Sequence, residues 1–155
     1  MPVLEELPPV EALVPHRGPA LLVDRVVAMS EDRLECVGRI PVDSAFADGE
    51  AAPCFVGLEL AAQAAAALEA LRHRRDFPNA GPQIGYIVGI REGRFEMGEI
   101  PLGQELRAQV RLLGGASPLA MHEVRLFHGE IPCLSAQVST YRAGRAFLAT
   151  LKDAR

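Results

Sequence analysis

The sequence predicts an α+β fold in which a strongly curved antiparallel sheet of about six strands wraps around one long helix. The predicted central helix spans residues 53–75, and within it residues 55–71 are good helix formers and are apolar on nearly every side. The other strong segments are short, rich in Val, Leu and Ile, and bounded by turn residues, as β-strands are. Because a helix that is apolar all round belongs inside a protein, the strands must cover it.

Bulk composition indicates one ordinary domain spanning residues 1–155. The chain has 155 residues, of which 49% are hydrophobic and 23% are charged. It is therefore long enough to bury a core and is not of the disordered class. The net charge of -4 argues against a nucleic-acid-binding protein, which needs a broad basic face.

The cysteines and the first residues indicate a cytoplasmic protein. Cys36, Cys54 and Cys133 are odd in number, far apart and without C-x-x-C spacing, so neither a disulfide framework nor a zinc site is expected. The four histidines also show no ligand spacing, and we expect no metal. Reduced thiols fit the cytoplasm, and residues 1–9 carry acids where a signal peptide has bases.

Before the helix, we expect a lead-in and a hairpin. Residues 1–19 are rich in proline and permit at most a short helix around residues 10–13. Two strands, 20–29 and 33–42, are then joined by a polar turn. Pro53 suits the opening of the long helix.

After the helix, the sequence predicts strands at 85–95, 105–113, 119–128 and 131–142, followed by a tail at 143–155. Apolar and polar residues alternate along the second and fourth of these segments, which indicates an antiparallel sheet with one buried face. This arrangement is the hot-dog fold. Because its sheet keeps free edges and covers the helix only partly, we expect at least two subunits.

The chemistry-bearing candidates on the helix are Glu59 and Gln63, which are one turn apart on the same face. A carboxylate buried with the helix costs several kcal/mol unless it is neutralised, hydrogen-bonded or paired. Glu59 is therefore the first catalytic candidate, and a solvated structural carboxylate at the helix rim is the alternative. We expect no membrane span, because both polar residues interrupt the apolar run.

Two motifs carry a family resemblance. Residues 14–26, VPHRGPALLVDRV, closely resemble the opening motif of the hot-dog 3-hydroxyacyl-acyl-carrier-protein dehydratases. A proline before the central helix and a glutamate, alanine and glutamine on it match a second motif; these residues are Pro53, Glu59, Ala62 and Gln63. Residues 85–91 and 138–141 look more like the divergent dehydratase-like branch of aryl polyene biosynthesis, which works beside a second hot-dog subunit.

The chain departs from the family pattern at two positions. Fatty-acid-type members carry a catalytic histidine in a Gly-His-Phe-Pro segment before the helix, and Ala45 occupies that position here. Cys54 replaces the glycine that normally follows the proline. A thiol at a helix start can be nucleophilic, but a small core-filling residue is the simpler interpretation of Cys54.

The resemblance implies roles for the site residues. Glu59 would protonate the departing hydroxyl and Gln63 would orient it, while a base removes the proton beside the carbonyl. His16 is the candidate base in this chain, with a structural or gating role as its alternative. Unpaired N–H groups at the helix start would hold the enolate oxygen and bind substrate, at Cys54, Phe55, Val56 and Gly57.

The resemblance also implies the partners. The substrate arrives on acyl carrier protein through its phosphopantetheine, so the chain needs no cofactor of its own. Because carrier protein is acidic, we expect a basic docking patch of Arg17, Arg72, Arg74 and Arg75. The alternative is that the last three only complement the helix dipole. The second subunit makes a homodimer or a heterodimer.

Three functions remain open. The first is a dehydratase of fatty acid or polyene biosynthesis that converts 3-hydroxyacyl thioesters to 2-enoyl thioesters. The second is a hot-dog acyl thioesterase in which Glu59 activates water or attacks the carbonyl. The third is a catalytically silent partner subunit. Ala45, at the position of the missing histidine, favours the second and third.

Overall fold

The computed structural model describes residues 7–143 and Asp153. It contains one long helix, α1 (Gly57–Asp76), preceded by a 3-10 turn at Cys54–Val56. The strands in the described part of the chain are β1 (Val23–Met29), β2 (Arg33–Gly38), β3 (Ala51–Pro53), β4 (Gly85–Phe95), β5 (Glu99–Pro101), β6 (Leu106–Gly114), β7 (Leu119–His128) and β8 (Ile131–Arg142).

Six of these strands form one antiparallel sheet in the order β1-β2-β6-β7-β8-β4. The predicted hot-dog fold, with its six strands and central helix, is confirmed. A separate two-stranded ribbon of β3 and β5 was not predicted. Each of its strands has three residues, which is too short to show alternation in the sequence.

Helix α1 packs against the concave face of the sheet, chiefly on β2, β6 and β7. Its fully buried side is made of leucine and alanine: Leu60, Ala61, Ala64, Ala65, Ala67 and Leu68. The small side chains let the sheet approach the helix closely. The segment Cys54–Asp76 is long and apolar enough to cross a membrane. However, 72% of its most apolar window is buried inside the fold, as expected for the core helix of a globular domain.

The edge strand β4 departs from the expected one-sided burial. Nearly all of its residues are exposed. Ile90 lies opposite Val138 of β8, yet Val138 is fully buried while Ile90 is 47% exposed. The apolar inner face of the sheet therefore continues past the edge of α1, where no element of the described chain covers it.

The lead-in packs against the core. Its predicted short helix is a 3-10 turn at Val10–Ala12, and Val10, Leu13 and Val14 are buried. A second 3-10 turn at Gly18–Ala20 leads into β1. Residues 1–6 of the lead-in and most of the predicted tail at 143–155 lie outside the described residues.

Candidate functional site

His16 and Glu59 form a pair at the start of α1. The Nε2 atom of His16 lies 3.1 Å from Oε1 of Glu59, and the side chains are 32% and 48% exposed. The expectation of a buried Glu59 is therefore wrong: it stands in the first turn of α1, at the rim of a groove. The catalytic role of Glu59 stays a prediction.

Gln63 joins this pair to the lead-in. Its side chain is buried, and its Nε2 donates to Glu59 Oε1 at 3.1 Å and to the carbonyl of Ala20 at 2.8 Å. Its Oε1 accepts the N–H of Leu22 at 2.9 Å. One amide therefore fixes the carboxylate and ties the segment before β1 to the helix.

The contacts leave one carboxylate oxygen of Glu59 available. Both His16 and Gln63 approach Oε1, and within the described residues Oε2 has no hydrogen-bond partner. The Nδ1 atom of His16 is buried without a partner. Of these two side chains, it is Glu59 that offers a free atom, its Oε2, for proton transfer beside the groove.

A groove of about 610 Å³ runs along α1 from this pair. One face of the helix contributes small side chains to its lining, at Ala62, Ala66 and Ala70, while Ile87 of β4 and Leu112 of β6 contribute larger apolar ones. Because eleven residues of α-helix span about 16 Å, the stretch between Glu59 and Ala70 has room for an extended apolar chain.

The far end of the groove is polar. Glu69 Oε1 lies 3.0 Å from Nε2 of the fully buried His122. Burial raises the pKa of Glu69, but the hydrogen bond and charge of His122 and the charges of Arg72 and Arg142 outweigh it and lower this pKa below its ordinary value. Arg142 also bonds His73 Nδ1 at 3.0 Å.

This far-end cluster was missed in the sequence. Two features of the sequence could have indicated it. Glu69 is a third polar side chain in an otherwise apolar part of the helix, and His122 falls on the buried face of its strand by alternation. The ring of His122 is fully buried. What pairs with it depends on how the helix crosses the sheet, which local sequence does not encode.

The predicted substrate-binding residues at the helix start do not line this groove. The N–H of Cys54 donates to the carbonyl of Gly98, and the N–H of Gly57 points to the carbonyls of Cys54 and Phe55. Two of the expected free donors are therefore occupied. A role for the remaining donors, at Phe55 and Val56, stays a prediction.

Packing gives Cys54 and Gly57 structural roles. Cys54 is buried, its thiol lies 3.3 Å from the carbonyl of Cys133, and burial raises its pKa, which makes it a poor nucleophile. A side chain at Gly57 would meet methyl groups of Leu126 and Ile100 at 2.5 and 2.8 Å. Glycine thus lets the helix start lie close to the sheet, rather than admitting substrate.

The predicted docking arginines carry contacts of their own. Arg72 donates to the carbonyl of Glu31 at 2.6 Å, and Arg75 lies 3.7 Å from the Glu31 carboxylate. Arg74 donates to the carbonyl of Ala80 at 2.7 Å. Arg17 bonds backbone carbonyls of its own segment. Carrier docking through these four residues stays a prediction.

Comparison with known proteins identifies the family. The family model described as ApeP-like, "ApeP dehydratase", matches residues 8–151. Among curated relatives, the 3-hydroxyacyl-[acyl-carrier-protein] dehydratase FabZ of Haemophilus influenzae is 30% identical over 147 residues, covering 85% of this chain and 90% of that protein. FabZ of Anaeromyxobacter sp. (strain K) is 35% identical over 109 residues, covering 66% of this chain and 68% of that protein.

Solved structures agree on the fold. The dehydratase heterocomplex ApeI:P from Xenorhabdus doucetiae matches with a TM-score of 0.82 at 22% identity, covering 94% of this chain and 98% of that one. A mutant thioesterase PA1618 from Pseudomonas aeruginosa matches with a TM-score of 0.56 at 14% identity, covering 78% of this chain and 81% of that one. The match over residues 8–151 shows that the chain belongs to the ApeP-like dehydratase family.

Proposed function

We propose that this protein acts in the dehydration of 3-hydroxyacyl thioesters carried by acyl carrier protein, giving the 2-enoyl thioester and water. The observation that carries the proposal is the cluster of Glu59, His16 and Gln63 at one end of an apolar groove. Membership of a dehydratase family supports the reaction class.

The chemistry needs a base at the carbon beside the carbonyl and an acid at the departing hydroxyl. In the proposal, Glu59 protonates the hydroxyl through its free Oε2, and a group from a second subunit accepts the proton from the carbon. His16, expected from the sequence as the base, instead holds Glu59, because its Nε2 lies against Glu59 Oε1 and its Nδ1 is buried. Gln63 holds the Glu59 carboxylate, and the acyl chain lies along Ala66 and Ala70. The thioester is part of the substrate, whose phosphopantetheine belongs to the carrier, so the protein brings no cofactor of its own.

A second hot-dog subunit completes the protein in this proposal. Strand β4 is the last strand of the sheet formed by the described residues, and it presents exposed apolar side chains, including Val88 and Ile90. Such an edge invites pairing with another sheet. The solved ApeI:P structure, a dehydratase heterocomplex of similar fold, supports a second subunit, and the reduced thiols support a cytoplasmic location.

The alternative is a catalytically silent subunit within a dehydratase heterodimer. Ala45, in an exposed loop, stands where fatty-acid-type members carry their histidine, so the second subunit would have to supply it. In that case Glu59 and His16 would serve binding or stability rather than proton transfer.

Mass spectrometry of a 3-hydroxyacyl-carrier protein separates these functions. The native chain and Glu59→Gln are incubated with substrate, alone and together with an ApeI-type subunit. Loss of water that depends on Glu59 supports the dehydratase. Release of free acid would establish a thioesterase instead. Water loss that needs the second subunit and survives Glu59→Gln would identify this chain as the silent partner.

A further inference from the structure

Arg17 folds its guanidinium back onto the segment that carries His16. Its Nη1 donates to the carbonyls of Val14 at 2.8 Å and His16 at 2.7 Å, and its Nη2 donates to the carbonyl of Glu11 at 2.7 Å. Hydrogen bonds from a charged donor are stronger than neutral ones. One side chain therefore closes residues 11–17 into a loop.

This loop has little other support where His16 stands. Upstream, Leu13 and Val14 are anchored in the core, and downstream Gln63 holds Ala20 and Leu22. Between these anchors residues 14–17 belong to no helix or strand. The guanidinium of Arg17 is the contact that joins the His16 backbone to the anchored residues before it.

We propose that Arg17 is a positioning residue that keeps the His16 imidazole against Glu59. The proposal rests on the dehydratase function, because it places the effect of Arg17 on turnover. It also gives Arg17 a role different from carrier docking, since the fork of the guanidinium is occupied by three carbonyls within its own loop.

The variant Arg17→Lys distinguishes positioning from docking. Lysine keeps the positive charge that a docking patch needs, but a compact ammonium cannot reproduce the planar fork that reaches separate carbonyls. Arg17→Ala removes both charge and fork. Arg25→Lys, an exposed arginine on the neighbouring β1, is the matched control.

Steady-state kinetics are measured with a 3-hydroxyacyl-carrier protein and with a small 3-hydroxyacyl N-acetylcysteamine thioester, each at low and high salt. We expect kcat of Arg17→Lys and Arg17→Ala to fall by about tenfold to a hundredfold with both substrates, as misplaced catalytic groups do. Arg25→Lys keeps its activity. A loss confined to KM for the carrier-bound substrate, relieved in Arg17→Lys, would overturn the proposal.

A second readout needs no turnover. The ring ¹⁵N signals of His16 are recorded for native protein, Glu59→Gln and Arg17→Lys, after thermal melting has shown that the variants are folded. His16 signals that shift in Arg17→Lys support the positioning role. This holds even if neither the native protein nor any variant eliminates water, which would refute the dehydratase function alone. Unmoved His16 signals would refute the positioning role.

A double mutant tests the same role by kinetics. Adding Arg17→Lys to the His16→Gln variant should lower kcat little further, because the effects of residues that act as a unit are not additive.

Discussion

His122 and Glu69 are in hydrogen-bond contact at the far end of the groove, with Nε2 of the histidine 3.0 Å from Oε1 of the glutamate. The imidazole is fully buried, whereas the carboxylate side chain is 31% exposed. The groove therefore has one histidine–glutamate pair near the start of α1 and another further along the same helix.

The pair at Glu69 predicts a pH-dependent stability. Because the folded-state pKa of Glu69 lies below its ordinary value of 4.5, its contribution is present above the unfolded pKa and is lost as the pH falls through the folded value. Relative to native protein, Glu69→Gln should lower the free energy of unfolding at neutral pH, and the difference should shrink below about pH 4.5. Denaturant unfolding across pH measures it.

The control for this prediction removes the partner. In a His122→Asn background the hydrogen bond and charge that lower the pKa of Glu69 are gone, so the further substitution Glu69→Gln should have an effect that depends less on pH. An equal pH dependence in both backgrounds would show that His122 is not the cause.

Gln63→Leu should damage both stability and turnover. The substitution leaves the buried N–H of Leu22 without its partner, at a cost of about 1–3 kcal/mol, and removes the partner of the carbonyl of Ala20, an exposed residue that water can reach. It also releases Glu59 Oε1. Urea unfolding and the rate of water loss test the two effects, with Gln104→Leu as the control, because the exposed amide of Gln104 contacts His128 and lies outside the groove.

Gly38→Ala should disturb the site through the backbone. A side chain at Gly38 would run into the carbonyl oxygen of Leu22, and a backbone atom cannot rotate away as a side chain can. We expect a loss of about 1–3 kcal/mol, the usual cost of overpacking, and weaker holding of Leu22 by Gln63. Gly81→Ala, which meets nothing within 4 Å, should be near neutral in the same unfolding experiment.

Charging the edge strand should prevent assembly. Val88 and Ile90 are 58% and 47% exposed on β4, and lysine on an edge opposes pairing with another sheet. If β4 forms the proposed subunit interface, Val88→Lys/Ile90→Lys should be monomeric in analytical ultracentrifugation under conditions in which the native protein is an oligomer. Ile131→Lys, at a similarly exposed residue of β8, should not. Retention of the oligomer by the β4 variant would place the interface elsewhere.

Reversing the basic end of α1 should weaken carrier binding. We predict that Arg72→Glu/Arg74→Glu/Arg75→Glu lowers affinity for acyl carrier protein by about tenfold or more at low salt, which corresponds to about 1.4 kcal/mol, and less at high salt, where charges are screened. Fluorescence anisotropy with labelled carrier measures this. Arg111→Glu/Arg125→Glu, on the outer face of the sheet, is the control, and equal affinities at low salt would reject the patch.

Sequence patterns were sufficient for the architecture because they report local periodicity. Alternation in residues 105–113 and 131–142 predicted strands that the structure confirms as β6 and β8, and the apolar run after Pro53 predicted α1. The short β3 and β5 escaped prediction because three residues cannot establish a period. The exposure of β4 was not predicted either, because an apolar strand has the same residue pattern whether it lies at the edge or in the centre of a sheet.

The sequence by itself determined which side chains are the candidates for chemistry: a glutamate and a glutamine one turn apart on an apolar helix, and a histidine in a proline-bracketed segment. Only the tertiary structure decided how they meet. Packing of the lead-in on the core brings His16 to Glu59, and it brings Leu22 to Gln63 across 41 residues of chain. It likewise paired Glu69 with His122, because such contacts depend on how helix and sheet cross, which local periodicity does not encode.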